Sequence, residues 1–165
     1  MWIKLLFLGN NNINWKLKKD KINNYNFNKL KSIGLSCGLF DEISISYLQY
    51  FKFNNLENIF LSRNNIYSLS FVENLELPNI KEFYINTAFI KEFDQLKKYK
   101  TLEVIGLREN CIINIDNLEL FVEELPKLTF IGLERNDIDM NEEKNKKIIE
   151  SIHKNEYNRC IDILI

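Results

Sequence analysis

The chain has 165 residues, of which 45% are apolar and 27% are charged, as expected for an ordinary globular domain. This composition excludes a disordered tail and a collagen, and the apolar runs fall far short of the roughly 20 residues that a membrane-spanning helix needs. The formal net charge of −1 indicates no particular class of charged partner.

The start of the chain, residues 1–9, is weakly similar to a signal peptide. Lys4 interrupts its apolar run and no small-residue cleavage site follows, so we do not expect a signal peptide. The three cysteines, Cys37, Cys111 and Cys160, are an odd number without a CxxC pair, which argues against a disulfide framework and a zinc site. We therefore expect an intracellular protein, cytoplasmic or nuclear.

An eleven-residue frame, L-x-x-L-x-L-x-x-N-x-I, recurs along the chain. Its copies begin near residues 3, 30, 56, 80, 102, 128 and 160. The copies at 3, 56, 102 and 128 are complete, and the copy at 160 is truncated. The second and fourth copies are degenerate, because Gly38 and Ala88 stand at the asparagine position. A period of this length is typical of repeat architectures.

These frames resemble the leucine-rich-repeat family over essentially the whole chain. The resemblance implies an α/β fold with about six repeats plus a terminal strand, in one domain spanning residues 1–165. The implied fold is a curved right-handed solenoid with a parallel sheet on its concave face and short helices or 3₁₀ turns on its convex face. Positions 1, 4 and 6 of each frame are apolar, as expected if a short strand turns alternate side chains inward.

The ninth position of each complete frame is an asparagine: Asn11, Asn64, Asn110 and Asn136. We expect these side chains to bond turn backbone groups and to form a ladder between coils, because buried polar groups need partners. Gly38 and Ala88 cannot make such bonds, so the ladder should be interrupted in the second and fourth coils.

Between the frames, the apolar spacing predicts short helices or 3₁₀ turns at residues 47–51 and 118–125. An isoleucine stripe predicts one helix of several turns from Asn141 to Lys154.

The sequence contains no recognisable catalytic motif. His153 is the only histidine and lies in a polar stretch, where nothing marks a partner that would orient it for nucleophilic catalysis. The glycine-rich phosphate-binding motifs are absent, and the paired acidic residues are typical of solvated surfaces. We therefore expect no enzyme activity, no cofactor, no metal, no small-molecule substrate and no membrane attachment.

Outward strand positions place aromatic and arginine side chains on the concave face, and this combination is typical of interface anchors. We predict a partner-binding site at Phe60, Arg63, Tyr84, Arg108, Arg135, Phe130 and Glu82. Gly106 and Gly132 continue the central column without side chains, which predicts a shallow trough beside an exposed Tyr84. The alternative is that the aromatic rings only pack against each other across adjacent strands.

Charge is unevenly distributed along the chain. Residues 1–55 hold eight lysines and three acidic residues, whereas residues 56–165 hold 14 Lys or Arg and 20 acidic residues. Lysines interleaved with aromatic residues can contact a phosphate backbone. The candidate RNA-contacting residues are Lys16, Lys18, Lys19 and Lys21.

Two hypotheses for function follow. The leading one is a non-catalytic protein-protein interaction module or adaptor that binds a partner protein through its concave face. The alternative is a small subunit or bound factor of a ribonucleoprotein, such as the ribosome or a spliceosomal particle, with the lysine-rich first coil near RNA.

Overall fold

A computed structural model describes residues 5–7, 27–154 and 160–165 of the chain. Within these ranges seven short strands pair in chain order into one parallel sheet. The strands are β1 (Leu5–Phe7), β2 (Ser32–Gly34), β3 (Asn58–Phe60), β4 (Glu82–Tyr84), β5 (Val104–Gly106), β6 (Phe130–Gly132) and β7 (Asp162–Leu164). We number the coils 1 to 7 by the strand that begins each of them.

The register of the sheet follows the sequence frame. The fourth position of every frame is the central residue of its strand and pairs with its equivalent in the next coil: Leu6, Ile33, Ile59, Phe83, Ile105, Ile131 and Ile163. The third and fifth positions therefore point to the opposite, concave side of the sheet.

Short helices return the chain along the convex side. They are α1 (Glu42–Ser46), the 3₁₀ helices Tyr47–Tyr50, Ser70–Asn74 and Asp94–Lys98, α2 (Leu118–Glu123) and α3 (Glu143–His153). The longest helix begins two residues later than predicted. The Asp139 carboxylate accepts the N–H of Asn141 at 2.8 Å, and Glu142 is extended, so the first helical residue is Glu143.

The space between the sheet and the return segments is filled by the inward positions of the frames. Leu61, Leu107 and Leu133, at the sixth position, are almost completely buried. Phe93 and Phe121, from the return segments of coils 4 and 5, meet edge to face with ring centroids 4.8 Å apart. The coils thus share one continuous core, as stacking repeats require.

The asparagine ladder ties coils 3, 5 and 6 each to the coil before it. The Asn64 side-chain oxygen accepts the N–H groups of Gly38 and Phe40 at 3.0 and 3.1 Å, and its amide donates to the carbonyl of Leu35. Asn110 and Asn136 repeat this pattern toward coils 4 and 5.

Each ladder asparagine bonds to the coil before its own. A frame that lacks the asparagine therefore leaves a gap between its own coil and the preceding coil. Gly38 and Ala88 bring no side-chain amide, so coil 4 contributes no such bond to coil 3. The interruption predicted from the sequence is therefore found at the junction of coils 3 and 4. Asn11 of coil 1 lies outside the described residues.

The eighth frame position adopts a left-handed backbone in every coil from 2 to 6. The residues concerned, with φ between 54° and 59°, are Cys37, Arg63, Thr87, Glu109 and Arg135. This conformation is unfavourable for residues other than glycine. It is stabilised by hydrogen bonds between coils: Arg63 N–H, for example, donates to the carbonyl of Asn86 at 2.9 Å.

Candidate partner-binding face

The centre of the concave face carries two stacked aromatic rings. Phe60 on β3 and Tyr84 on β4 occupy paired positions, and their rings lie parallel, with centroids 5.1 Å apart and an interplanar angle of 2°. Both side chains are half-buried. The rings therefore pack against each other across adjacent strands while each still presents part of its surface to solvent.

The trough expected beside Tyr84 is wrong, because the ring of Tyr84 covers Gly106. A Cβ added at Gly106 would lie 2.5 Å from Cδ1 of Tyr84. Gly132 is covered in a similar way by Phe130 and Glu134, at 3.3 and 3.0 Å from the equivalent point. The glycines thus let the rings lie flat on the sheet, and Tyr84 is half-buried instead of exposed.

Glu82 lies beside Tyr84 on the same strand and affects its ionisation. Burial raises the pKa of the Tyr84 phenol above its ordinary value, and the nearby Glu82 carboxylate raises this pKa further. The phenol therefore stays protonated at neutral pH, and its O–H remains a hydrogen-bond donor at the edge of the aromatic stack.

A polar ladder fixes the backbone where the central strands end. The N–H of Asn86 donates to the Ser62 hydroxyl at 3.0 Å, and the Asn86 side-chain oxygen accepts the N–H of Arg108 at 2.9 Å. These bonds join coils 3, 4 and 5 directly after the aromatic pair. The rings therefore rest on a backbone that is held by both main-chain and side-chain contacts.

The arginines form a second group, in the turns that follow the strands. Glu109 holds two of them: its carboxylate lies 2.7 Å from Arg135 and 3.5 Å from Arg108, and it also accepts the Thr87 hydroxyl at 3.0 Å. The Thr87 hydroxyl and then Arg135 lower the pKa of Glu109. This network is solvent-exposed, so it orients the side chains more than it stabilises the fold.

Arg63 differs from the other two arginines. It is exposed, and it makes no ion pair within residues 27–154 or with residues 160–165. Its left-handed backbone, with φ of 59°, projects the side chain from the turn after β3. Arg63 is therefore the guanidinium of this face that is available to a carboxylate from outside.

The structure thus divides the seven predicted residues into two groups. Phe60, Tyr84, Glu82 and Phe130 lie on the strands, whereas Arg63, Arg108 and Arg135 follow the strands in the turns. Glu109, which links the last two arginines, was expected to point outward at the eighth frame position but was not among the seven. Its signal in the sequence is its place one repeat before Arg135, at the same frame position.

The lysines proposed to contact RNA, Lys16, Lys18, Lys19 and Lys21, lie outside the described residues, and their role stays a prediction. In the part of the chain that the structure describes, no group of three or more His, Cys, Asp or Glu side chains is arranged to hold a metal ion. Among the same residues, no helix is both long enough and apolar enough to cross a membrane.

Comparison with known proteins supports the fold. No protein-family model and no curated protein sequence matches the chain. The solved structures that are similar to the chain include two from Listeria monocytogenes. An internalin is 18% identical with a TM-score of 0.54, over 73% of this chain and 33% of its own. An internalin C2 is 21% identical with a TM-score of 0.52, over 72% of this chain and 57% of its own.

The chain spans a third of one internalin and just over half of the other. At these identities the likeness concerns the fold alone. Internalins are leucine-rich-repeat proteins, and the parallel sheet with its short helices and 3₁₀ turns fits the same fold. In its fold, therefore, the chain is a leucine-rich-repeat solenoid.

Proposed function

We propose that the protein is a non-catalytic interaction module that binds a partner protein through its concave face. The observation that carries this proposal is the half-exposed Phe60–Tyr84 stack at the middle of the sheet. Aromatic residues at the centre of a surface are the commonest anchors of protein interfaces. The sheet holds them on seven hydrogen-bonded strands, which is a rigid support.

The aromatic pair is preorganised for binding. Tyr84 is confined between Phe60 on one side and the backbone of Gly106 on the other, and Glu82 lies beside its hydroxyl. Side chains that are already ordered lose little conformational entropy when a partner binds. The rings therefore offer apolar area at a low entropic cost.

The arginine turns give the face its polar specificity. Arg63 has no ion-pair partner among the described residues, whereas Arg108 and Arg135 share Glu109. A partner that places an apolar side chain on the stack and a carboxylate near Arg63 satisfies both groups. A bidentate contact between that carboxylate and the Arg63 guanidinium fixes the orientation of the partner and also adds binding energy.

The proposed cellular location is intracellular. All three cysteines, Cys37, Cys111 and Cys160, are free thiols, and an odd number of free thiols suits a reducing compartment.

The test is a site-specific crosslinking scan in cells that express the protein. Tyr84, Arg63 or Leu120 is replaced in turn by the photoreactive amino acid benzoylphenylalanine. Leu120 is the control, because it is exposed on α2 of the convex side. We expect the two concave positions to crosslink to the same protein and Leu120 not to do so. Equal crosslinking from Leu120, or crosslinking only to RNA, would contradict the proposal.

A further inference from the structure

Four of the eight exposed large apolar side chains among the described residues lie on one flank of the solenoid, away from the concave face. This flank is formed by position 10 of the eleven-residue frame and by the residue directly after the frame, which we call position 12. The exposed members, in coils 2 to 5, are Leu39 (68% exposed), Tyr67 (60%), Phe89 (41%) and Ile113 (65%). We call these four residues the lateral row.

Backbone hydrogen bonds keep the coils stacked along this flank. The N–H groups of Asn65, Phe89 and Cys111 donate to carbonyls of the preceding coil at 2.8 to 2.9 Å. Equivalent positions of successive coils are therefore neighbours, as they are in the sheet. The lateral row therefore runs along two neighbouring columns, positions 10 and 12, in which Asn65 and Lys91 stand between its apolar members.

Two members of the row are in direct contact. The rings of Tyr67 and Phe89 stack with centroids 4.7 Å apart and an interplanar angle of 11°. The turn before them is fixed by Glu42, whose carboxylate accepts the N–H groups of Tyr67 and Ser68. The same bonds bring the start of α1 beside Tyr67, and Ile43 of α1 is 71% exposed there.

The row opens at one end onto a cavity. Its volume is about 300 Å³, and Cys111, Ile113 and Leu118 of coil 5 line it together with Lys91, Glu92, Phe93 and Asp94 of coil 4. A pair of stacked rings near a hollow with both apolar and polar lining offers a partner a flat contact and a place to insert a side chain.

The charges at the same frame positions are mostly acidic. Asp41 stands at one end of the row in coil 2, and Asp137 and Asp139 stand at the other end in coil 6. Lys91, in coil 4, is the one basic residue at positions 10 and 12 of coils 2 to 6. An apolar row bounded by carboxylates complements a segment that carries both apolar and basic side chains.

We propose that the lateral row binds a basic amphipathic segment of a partner protein. The apolar side chains of that segment pack on Tyr67, Phe89 and Ile113, and its lysines or arginines face Asp41 and Asp137. Exposed apolar side chains grouped around a stacked ring pair, here Tyr67 and Phe89, are typical of interaction sites in soluble proteins. This surface is separate from the concave face, so the inference does not depend on the proposed function.

The acidic ends favour this occupant over two others. An anionic lipid surface is repelled by Asp41, Asp137 and Asp139. A second copy of the chain, paired about a two-fold axis across the row, brings Asp41 of one copy toward Asp137 of the other, which is a contact between like charges. A basic segment is attracted at both ends of the row.

The probe for the test is a short fluorescein-labelled amphipathic peptide of leucine and lysine. Its control is the same peptide with glutamate in place of lysine. Binding to the full chain is followed by fluorescence anisotropy. We expect the Tyr67→Ser/Phe89→Ser double variant to weaken binding of the lysine peptide at least about tenfold. We expect Leu120→Ser to leave binding unchanged. It removes a leucine from α2 whose exposed fraction, 51%, lies between those of Tyr67 and Phe89.

A second variant tests the charges without touching the rings. Asp137→Lys should weaken binding of the lysine peptide and reduce the salt dependence of that binding. This variant keeps the proposal testable if the double variant fails to fold. Equal binding of the glutamate peptide, or an equal loss with Leu120→Ser, would overturn the proposal.

Amide shifts in the NMR spectrum locate the bound peptide. The N–H groups of Phe89 and Cys111 should shift on titration, and those of Phe60 and Tyr84 should not. Shifts confined to Phe60 and Tyr84 would overturn the lateral site. So would a dimer that dissociates in the Tyr67→Ser/Phe89→Ser variant, or tight binding of phosphatidylserine-containing vesicles that is lost in that variant.

Discussion

Asn110 binds Ile90 of the coil before it: the side-chain oxygen of Asn110 accepts the Ile90 N–H at 3.0 Å. The amide of Asn110 donates to the carbonyls of Ile85 and Leu107, each at 2.9 Å. One buried side chain thus satisfies three backbone groups in two coils. This arrangement makes the asparagine a structural crosslink between repeats.

The first prediction concerns this crosslink. Asn110→Ala leaves buried backbone groups without partners, and we expect it to lower the free energy of unfolding by about 2 kcal/mol. Asn65→Ala is the matched control, since Asn65 is exposed and lies beside a ladder position instead of on it. Urea unfolding of both variants measures the difference, and equal losses would contradict the backward-pointing ladder.

The second prediction is a repair of the ladder at Ala88. Leu107 shows that one carbonyl can accept two asparagine amides, because it bonds both Asn110 and Asn136 at 2.9 Å. In Ala88→Asn the new amide should reach the carbonyls of Leu61 and Ile85 in the same way. We expect a gain of about 1 kcal/mol in the free energy of unfolding.

The control for the repair is Ala88→Asp, which has the same shape but carries no amide donor. It would place a carboxylate against carbonyl oxygens in a buried site, so it should destabilise the protein. If the asparagine and aspartate variants unfold at the same urea concentration, the proposed bonds do not form.

The third prediction concerns the support of Tyr84. In Gly106→Ala the new methyl group would meet the Tyr84 ring at 2.5 Å, so the ring must move away from Phe60. We expect a change in the near-ultraviolet circular dichroism and weaker partner binding, although no side chain of the face is removed. Gly132→Ala should have a smaller effect, because the nearest atom there, 3.0 Å away, belongs to the flexible Glu134 side chain.

The fourth prediction is a loss of stability in alkali. Burial raises the pKa of Tyr99 and of Tyr84 above the ordinary value of 10.0, so the folded state holds these phenolic protons more tightly than the unfolded state. Their contribution to the free energy of unfolding is complete below pH 10 and is lost as the pH rises above it.

Tyr99 should dominate this effect, since its hydroxyl is buried and donates to the carbonyl of Leu75 at 2.8 Å. We therefore expect Tyr99→Phe to unfold less steeply with pH than the parent protein, in urea titrations between about pH 8 and pH 11. A parallel pH dependence in the two proteins would show that Tyr99 ionises equally in both states.

The sheet register was predictable because the order of the apolar residues determines it. An alternating pattern admits one register, and a slip of one residue would turn Ile59 and Ile105 outward. The ladder was predictable for the same reason, since a buried Asn64 or Asn110 must find partners and the neighbouring coil supplies them.

The direction of exposed rings was not predictable, because it depends on the next coil. Tyr84 leans over Gly106, and a frame read along one chain does not say which neighbour a ring covers. The left-handed turns were also not predictable from the sequence. Arg63 and Thr87 have a positive φ, but unlike glycine their residue types do not signal one in the sequence.

The lateral row escaped the sequence analysis because its positions lie outside the strand part of the frame. Tyr67 is at position 12 of its coil and Phe89 is at position 10 of the next. Aligning the repeats of the chain with one another therefore does not place the two residues at the same position. Their stacking follows from the path of the turn, which the frame does not encode.

The central claim is that the concave face binds a protein partner through the Phe60–Tyr84 stack and its neighbouring arginines. The most direct test uses the triple variant Phe60→Ala, Tyr84→Ala and Arg63→Glu, with Leu120→Ser as its control. Calorimetry measures the affinity of each variant for the partner that crosslinking has identified. We expect the triple variant to remain folded and to bind at least about a hundredfold more weakly, while Leu120→Ser binds normally. An unchanged dissociation constant in a triple variant that melts cooperatively would contradict the claim.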